Sequence, residues 1–282
     1  MGGRGPQPRL FTAKTAKRLL GLQGKVSTDL DLSEVVVSFT DDGVRFPDGC
    51  FVCFEDLERV SMREDGVFFV EGGSLYQVAI SDGHYYKLVL TEGAPTLEID
   101  GVRMHRTKGI NPERDAAEKV EALGIEGGRV LDTCTGLGYT AIAALSMGVE
   151  LVVSIERGVE VLRIAELNPW SSGIFTDGRV HLLLGDAFSL IDSFPDEFFN
   201  WIIHDPPRFA LAGHLYGGEF YARMSRVLRP GGRVFHYTGE PGSRRRRVDL
   251  RRGVMRRLGE AGFFRLRFVE GVMGVVGERR PS

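Results

Sequence analysis

The chain has 282 residues, is 43% hydrophobic and sets 36 Lys and Arg against 38 Asp and Glu, for a formal net charge of −2. That is enough chain for one large or two modest domains with a full core, and the near-balance excludes a global basic field for gathering polyanions. Three cysteines exclude a disulfide framework, and the lack of an 18-residue apolar run or an apolar N-terminal signal region predicts a soluble, cytoplasmic protein with no membrane partner.

The first predicted element is a basic helix over residues 11–22, carrying Lys14, Lys17 and Arg18. Short apolar and period-two runs follow at 35–38, 44–46, 50–54, 66–70, 75–80, 85–90 and 96–99. Asp-Asp-Gly, Pro-Asp-Gly, Glu-Asp-Gly, Glu-Gly-Gly and Ser-Asp-Gly punctuate them. These are hairpin signals, so residues 1–110 read as an antiparallel β domain. Cys50 and Cys53 form a lone C-x-x-C with no second ligand pair, which reads as plain strand cysteines and no metal. Asn111 or Pro112 starts a helix running to Leu123, which opens a second domain over residues 111–282.

In that domain Val130 and Leu131 end an apolar strand, Gly136 and Gly138 permit a sharp turn and close approach of a ligand, and residues 139–147 form an Ala-rich helix. Loops at the carboxyl ends of strands are where open α/β sheets bind ligands. Gly136-x-Gly138-x-x-Ala141 also fits a dinucleotide fingerprint. Asp132 argues the other way: it would repel a pyrophosphate but could help hold a cationic ligand. Glu156 ends the next apolar strand, 20 residues after Gly136, where it could accept both ribose hydroxyls of an adenosine cofactor. A third strand, 180–184, runs into Gly185-Asp186-Ala187-Phe188, and a fourth ends in His204-Asp205-Pro206-Pro207-Arg208-Phe209. Two successive prolines stop a central strand and stiffen the loop. A carboxylate with a rigidly held carbonyl can accept both N–H bonds of an amine and favour its nucleophilic form. Residues 219–228 read as a helix, Arg229-Pro-Gly-Gly232 as a turn, 232–238 as strand five, 248–261 as a helix, and 264–269 and 273–276 as two closing strands.

These motifs, in this order over residues 110–279, resemble the class I S-adenosylmethionine (SAM) methyltransferases. With its Asp-Pro-Pro-Arg the chain resembles uncharacterised archaeal-type members of that family. The resemblance implies an α/β fold: a seven-stranded, doubly wound methyltransferase sheet, its last strand antiparallel between five and six, beside the smaller β domain. It implies SAM as cofactor, held by Asp132, Thr133, Cys134, Thr135, Gly136, Gly138, Tyr139, Glu156, Arg157, Gly185, Asp186 and Ala187. Asp132 takes the aminoacyl end and Asp186 the adenine amino group, with Ala187 or Phe188 on the ring. Cys134 stands where the family pattern has its first glycine. Asp205, Pro206, Pro207 and Arg208 resemble the Asp/Asn-Pro-Pro-Tyr/Phe signature of amino-group methyltransferases, with Arg208 in the aromatic position and Phe209 one place later. The implied catalytic set is therefore Asp205 orienting the amine, the Pro206 carbonyl taking its second hydrogen bond, and Pro207 and Arg208 shaping the clamp. Arg106, Thr107 and Lys108 lie in the stretch that in many members covers the cofactor, which makes them candidate substrate contacts.

The expected activity is N-methylation of an amino group on RNA or DNA, RNA ahead of DNA, by an enzyme that could be a homodimer. An acceptor base would have to be unpaired or flipped out. Arg244-Arg245-Arg246-Arg247, expected in a loop at the carboxyl edge of the sheet, and the following Arg251, Arg252, Arg256 and Arg257 could bind phosphates together with the basic N-terminal segment (Arg4, Arg9, Lys14, Lys17, Arg18). The alternatives are a small-molecule methyltransferase, a non-catalytic cofactor-binding subunit, or an enzyme like the spermidine-synthase-type aminopropyltransferases. The β domain, residues 86–91 and 97–102, and residues 215–221 resemble that last family, but its Gly-Gly-Gly-Asp-Gly loop is missing. Thirty of the 36 basic residues are Arg, while Asn and Gln occur three times each. That usage suits a thermophilic source or a GC-rich genome.

Overall fold

A computed structural model describes residues 8–239 and 250–281 and divides into two compact units. The first comprises the residues up to Pro112 together with Glu160–Ser172; the second comprises Glu113–Val159 and Gly173 onward.

All strand pairs of the first unit are antiparallel, in four small sheets. Its helix Ala13–Leu20 is shorter than the predicted 11–22. Leu10 and Phe11 pair as a strand with Phe69 and Phe68, and Thr12 caps the helix by accepting the Thr15 N–H at 3.2 Å. Residues 50–54, expected to be extended throughout, are strand only over Phe51–Cys53; Phe54–Ser61 is a helix. Leu57 and Val60, three residues apart, are its buried stripe. They pack with Phe11, Leu19, Val26, Val44 and Val52. The run 75–80 is two strands, Ser74–Gln77 and Ala79–Asp82, joined at buried Val78. Trp170 is tied into this unit by its indole N–H donating to the Leu30 carbonyl at 3.1 Å.

The second unit holds a seven-stranded sheet. Its strands are β1 (Arg129–Asp132), β2 (Leu151–Glu156), β3 (Val180–Leu184), β4 (Phe199–His204), β5 (Leu228–Tyr237), β6 (Phe263–Val269) and β7 (Gly274–Arg279), in the spatial order β3-β2-β1-β4-β5-β7-β6. The first five are parallel; β7 runs antiparallel between β5 and β6. This is the methyltransferase sheet expected from the sequence. The helices used below are α1 (Pro112–Leu123), α2 (Tyr139–Ser146), α3 (Gly218–Val227) and α4 (Leu250–Glu260). Leu131, Ile155, Ile202 and Val234 from the strands pack with Phe220, Tyr221 and Leu258 from the helices in one core. Near-continuous apolar strands suit a parallel sheet covered on both faces.

One prediction is corrected here. Arg229-Pro-Gly-Gly232 is not a free-standing turn. It lies within β5, whose pairing to β4 jumps from Phe199↔Leu228 to Trp201↔Arg233. The extra residues form a bulge, which proline and glycine tolerate inside a strand. Arg244, Arg245 and the rest of that arginine run up to Arg247 lie outside the described residues.

Candidate functional site

Register in the parallel sheet brings the carboxyl ends of β1, β2 and β4 together: Asp132 is paired with Ser154 on one side and Ile203 on the other. The loop after β1 is tied down by its own backbone. Thr133 N–H donates to Ile203 O at 3.0 Å, Thr135 N–H to Ile155 O at 2.9 Å, and Gly138 N–H to Thr135 O at 2.7 Å. Gly136 (φ +54°) and Gly138 (φ +81°) both require the left-handed region. A Cβ on Gly138 would sit 2.5 Å from Ile174, whereas one on Gly136 would meet nothing within 4 Å. Gly138 therefore serves packing, and Gly136 leaves open room beside the loop for a ligand. Gly138 is also the N-cap of α2 and offers no side chain to the first N–H groups of that helix.

Asp132 lies beneath this loop with no exposure. Its Oδ2 accepts the Ser154 hydroxyl at 2.8 Å and the Thr140 hydroxyl at 3.2 Å. Because Ser154 spends its proton on Asp132, the 2.7 Å contact between Thr135 and Ser154 has Thr135 as donor. Among the described residues Oδ1 has no partner. Burial, against the bonds from Ser154 and Thr140 and reinforced by the Asp205 charge, pushes the carboxyl up to about 7. An orphaned carboxylate oxygen of this kind fits a cationic ligand in the loop. Glu156 grips the loop from the other side, Oε2 accepting the Gly136 N–H and Oε1 the Gly158 N–H, both at 2.8 Å. Burial raises its carboxyl despite those bonds. The Cys134 thiol is pushed well up by burial and by the Glu156 and Asp132 charges, so it is an inert wall. Tyr139 is buried and Arg157 is exposed.

Asp186 caps the short helix Ala187–Leu190, its Oδ1 accepting the Phe188 N–H at 2.9 Å. Its Oδ2 is 3.5 Å from His214 Nε2. The Phe188 ring is already engaged, stacked against Phe220 with the Arg223 guanidinium 4.1 Å from its centroid. That leaves buried Ala187 as the apolar neighbour of Asp186.

Asp205 follows β4. Its Oδ2 accepts from the Lys119 ammonium at 2.6 Å, and the same ammonium donates to Asp115 Oδ2 at 2.7 Å and lies 4.7 Å from the Tyr237 ring centroid. Burial alone would depress Lys119, but Asp205 and Asp115 outweigh it and hold the amine raised and protonated. The turn is pinned by Tyr216, whose hydroxyl donates to the Pro207 carbonyl at 3.0 Å. Pro206 is buried, while Arg208 and Phe209 are exposed, with Phe209 edge-on to Tyr216.

Behind the turn stand two buried histidines, His204 and His236, paired across β4 and β5 with rings 4.4 Å apart. His204 Nε2–H donates to the Leu215 carbonyl at 3.0 Å, so its Nδ1 accepts the Thr133 hydroxyl at 2.7 Å. His236 has the opposite tautomer: Nδ1–H donates to the Tyr237 carbonyl and Nε2 accepts the Tyr221 hydroxyl. Burial lowers His204 to about 3 and His236 well below its ordinary value, so both are neutral.

Sequence reasoning missed Asp115, Lys119, Thr140, Ser154 and the histidine pair. The signals were present: Asp115 and Lys119 are four apart on a helix, and His204 stands immediately before the Asp-Pro-Pro motif. Arg106, Thr107 and Lys108 belong to the first unit; Thr107 accepts from Arg103 at 3.3 Å, Arg106 is half-buried and Lys108 is exposed. Among the described residues no group of three or more His, Cys, Asp or Glu could hold a metal ion, and no helix is long and apolar enough to cross a membrane.

No family model matches the chain. It is 45% identical over 274 residues, 94% of each chain, to the uncharacterised protein MJ1233 of Methanocaldococcus jannaschii. It is 27% identical over 195 residues to the ribosomal RNA large subunit methyltransferase I of Erwinia tasmaniensis, a match spanning 66% of this chain and 49% of that protein. It is 33% identical over 208 residues to polyamine aminopropyltransferase 2 of Streptomyces coelicolor, spanning 69% of this chain and 36% of that protein. The crystal structure of a spermidine synthase in complex with the transition state analogue AdoDATO shares the fold, with a TM-score of 0.55 at 20% identity over 74% of this chain and 76% of that one.

Proposed function

We propose that this chain, which belongs to the family of the uncharacterised protein MJ1233 of Methanocaldococcus jannaschii, is a SAM-dependent N-methyltransferase whose acceptor is an amino group of RNA, ahead of DNA. The observation that carries the reading is Asp205. It follows the strand next to the loop-bearing β1, one oxygen is pinned by Lys119, and its side chain is still 21% exposed. A carboxylate so fixed is built to orient an N–H.

The residues of the β1 loop fit the cofactor. Room beside Gly136 would admit it, the Asp132 field would favour its cationic end, Glu156 would take the ribose hydroxyls, and Asp186 the adenine amino group. When bound, SAM supplies an electrophilic methyl on a sulfonium. Asp205 and the proline-stiffened turn would orient the acceptor nitrogen, and positioning of this kind is worth several orders of magnitude in rate. The ribosomal RNA methyltransferase relative supports a nucleic-acid acceptor. The test is transfer of labelled methyl from SAM to unmodified RNA transcripts. Asp205→Ala should abolish transfer and leave calorimetric SAM binding unchanged; normal methylation by that variant would overturn the assignment.

A second reading is aminopropyl transfer from decarboxylated SAM to a polyamine. Asp132, Glu156, Asp186 and Asp205 are gathered in the same unit, and the buried cation beside them, Lys119, is already committed to two carboxylates. That balance favours a more cationic donor, and the Streptomyces relative agrees. Tighter calorimetric binding of decarboxylated SAM than of SAM would select this reading.

A further inference from the structure

Lys119 is buried to 5% exposure, and among the described residues its ammonium meets Asp115, Asp205 and the Tyr237 ring. Lysine is almost never fully buried unless paired, and the desolvation penalty of a buried ion runs to several kcal/mol. Asp115, itself 2% exposed, faces the ammonium from the preceding turn of α1. Asp205 is 21% exposed and comes from the far side of the sheet sequence, 86 residues away. The cluster therefore fixes a carboxylate at the edge of the site from a fully buried ammonium, with Asp205 and Asp115 together keeping Lys119 ionised.

We propose that Lys119 is a positioning residue, holding Asp205 as an acceptor of one N–H and not as a base, so that the site selects a nitrogen already neutral at neutral pH. This rests on the methyltransferase reading above. With Oδ2 committed to a buried ammonium, Oδ1 is the oxygen left to meet the acceptor. An alkylammonium must lose a proton before it has a lone pair to offer, and its charge would meet the Lys119 ammonium held 2.6 Å from the same carboxylate. An amine conjugated to a heteroaromatic ring is neutral, and needs only to be turned. In the transfer the nitrogen lone pair forms the N–CH3 bond, the S–CH3 bond breaks with its electron pair going to sulfur, and the nitrogen releases its proton to water.

The test compares labelled-methyl transfer from SAM to unmodified RNA transcripts and to spermidine, in wild type, Lys119→Arg, Lys119→Met and the double variant Lys119→Met/Asp115→Asn. The double variant preserves the cluster's net charge, so it remains informative if Lys119→Met alone does not fold. Wild type should methylate RNA and not spermidine. The Met-containing variants should lose about 100-fold in kcat for RNA, the scale of a 1 Å misplacement. KM for RNA and the SAM dissociation constant should stay within about twofold, and Lys119→Arg should recover part of the rate. Unchanged kcat in the double variant, or comparable transfer to spermidine by wild type, overturns the proposal. Transfer to neither acceptor overturns the reading beneath it. The positioning role is then decided by a crystal structure of the double variant, where a carboxylate at Asp205 that has not moved refutes it.

Discussion

Asp132→Asn should make the protein more stable, and increasingly so as the pH is raised. A free aspartate titrates near 3.8, and burial pushes Asp132 up to about 7 in the folded chain. Between those values the folded state keeps a proton that the unfolded state has lost. Stability from this group therefore falls as pH rises, by about 1.4 kcal/mol per pH unit, and levels off above 7. The whole window is worth on the order of 4 kcal/mol, of which about 3 kcal/mol falls between pH 5 and pH 8. Asparagine carries no such charge, and its carbonyl oxygen can still accept from Ser154 and Thr140, which now bond Oδ2. Urea unfolding of wild type and variant at pH 5 and pH 8 measures the difference. The variant's advantage should grow by about 3 kcal/mol across that range, and on the proposed role of Asp132 its calorimetric affinity for SAM should fall. Parallel pH dependences for the two proteins would show that Asp132 is ionised in the folded state without penalty and that its unpartnered Oδ1 costs the fold nothing.

The two loop glycines should separate stability from binding. Gly138→Ala forces a Cβ to 2.5 Å from Ile174 at φ +81° and should cost about 2–4 kcal/mol in denaturant unfolding. Gly136→Ala meets only the backbone penalty of about 1 kcal/mol but puts a methyl into the open space, so its main effect should be weaker SAM binding. Equal stability losses for the two would contradict the division. His204 contributes with the opposite sign to Asp132: its folded value of about 3 lies below the ordinary 6.5, so its contribution is complete above pH 6.5 and is lost as pH falls toward 3. His204→Gln, which retains a donor and an acceptor, should lose that acid sensitivity; a variant as acid-labile as wild type would clear His204 of it.

The parts that read well from sequence are those governed by local chemistry. β3 and α1 stand where their apolar periodicity and the Pro112 start signal put them. The order of acids along the chain also announced the ends of β1, β2 and β4, because a parallel sheet forces such residues to one edge. What stayed hidden depends on facts that sequence does not carry. Asp115 and Lys119, four apart on α1, have the spacing of an exposed helix pair, which is worth a few tenths of a kcal/mol. Only the packing of α1 against the carboxyl ends of β4 and β5 turns them inward, where the same two side chains meet Asp205 and Tyr237. The Pro-Gly-Gly of β5 failed for a related reason: turn chemistry is local, but whether a bulge or a turn results is decided by the register β4 imposes from outside. The Asp-Pro-Pro motif shows both at once. Its prolines gave the stop of β4 directly, yet the partner that fixes its carboxylate lies 86 residues upstream and could be found only in three dimensions.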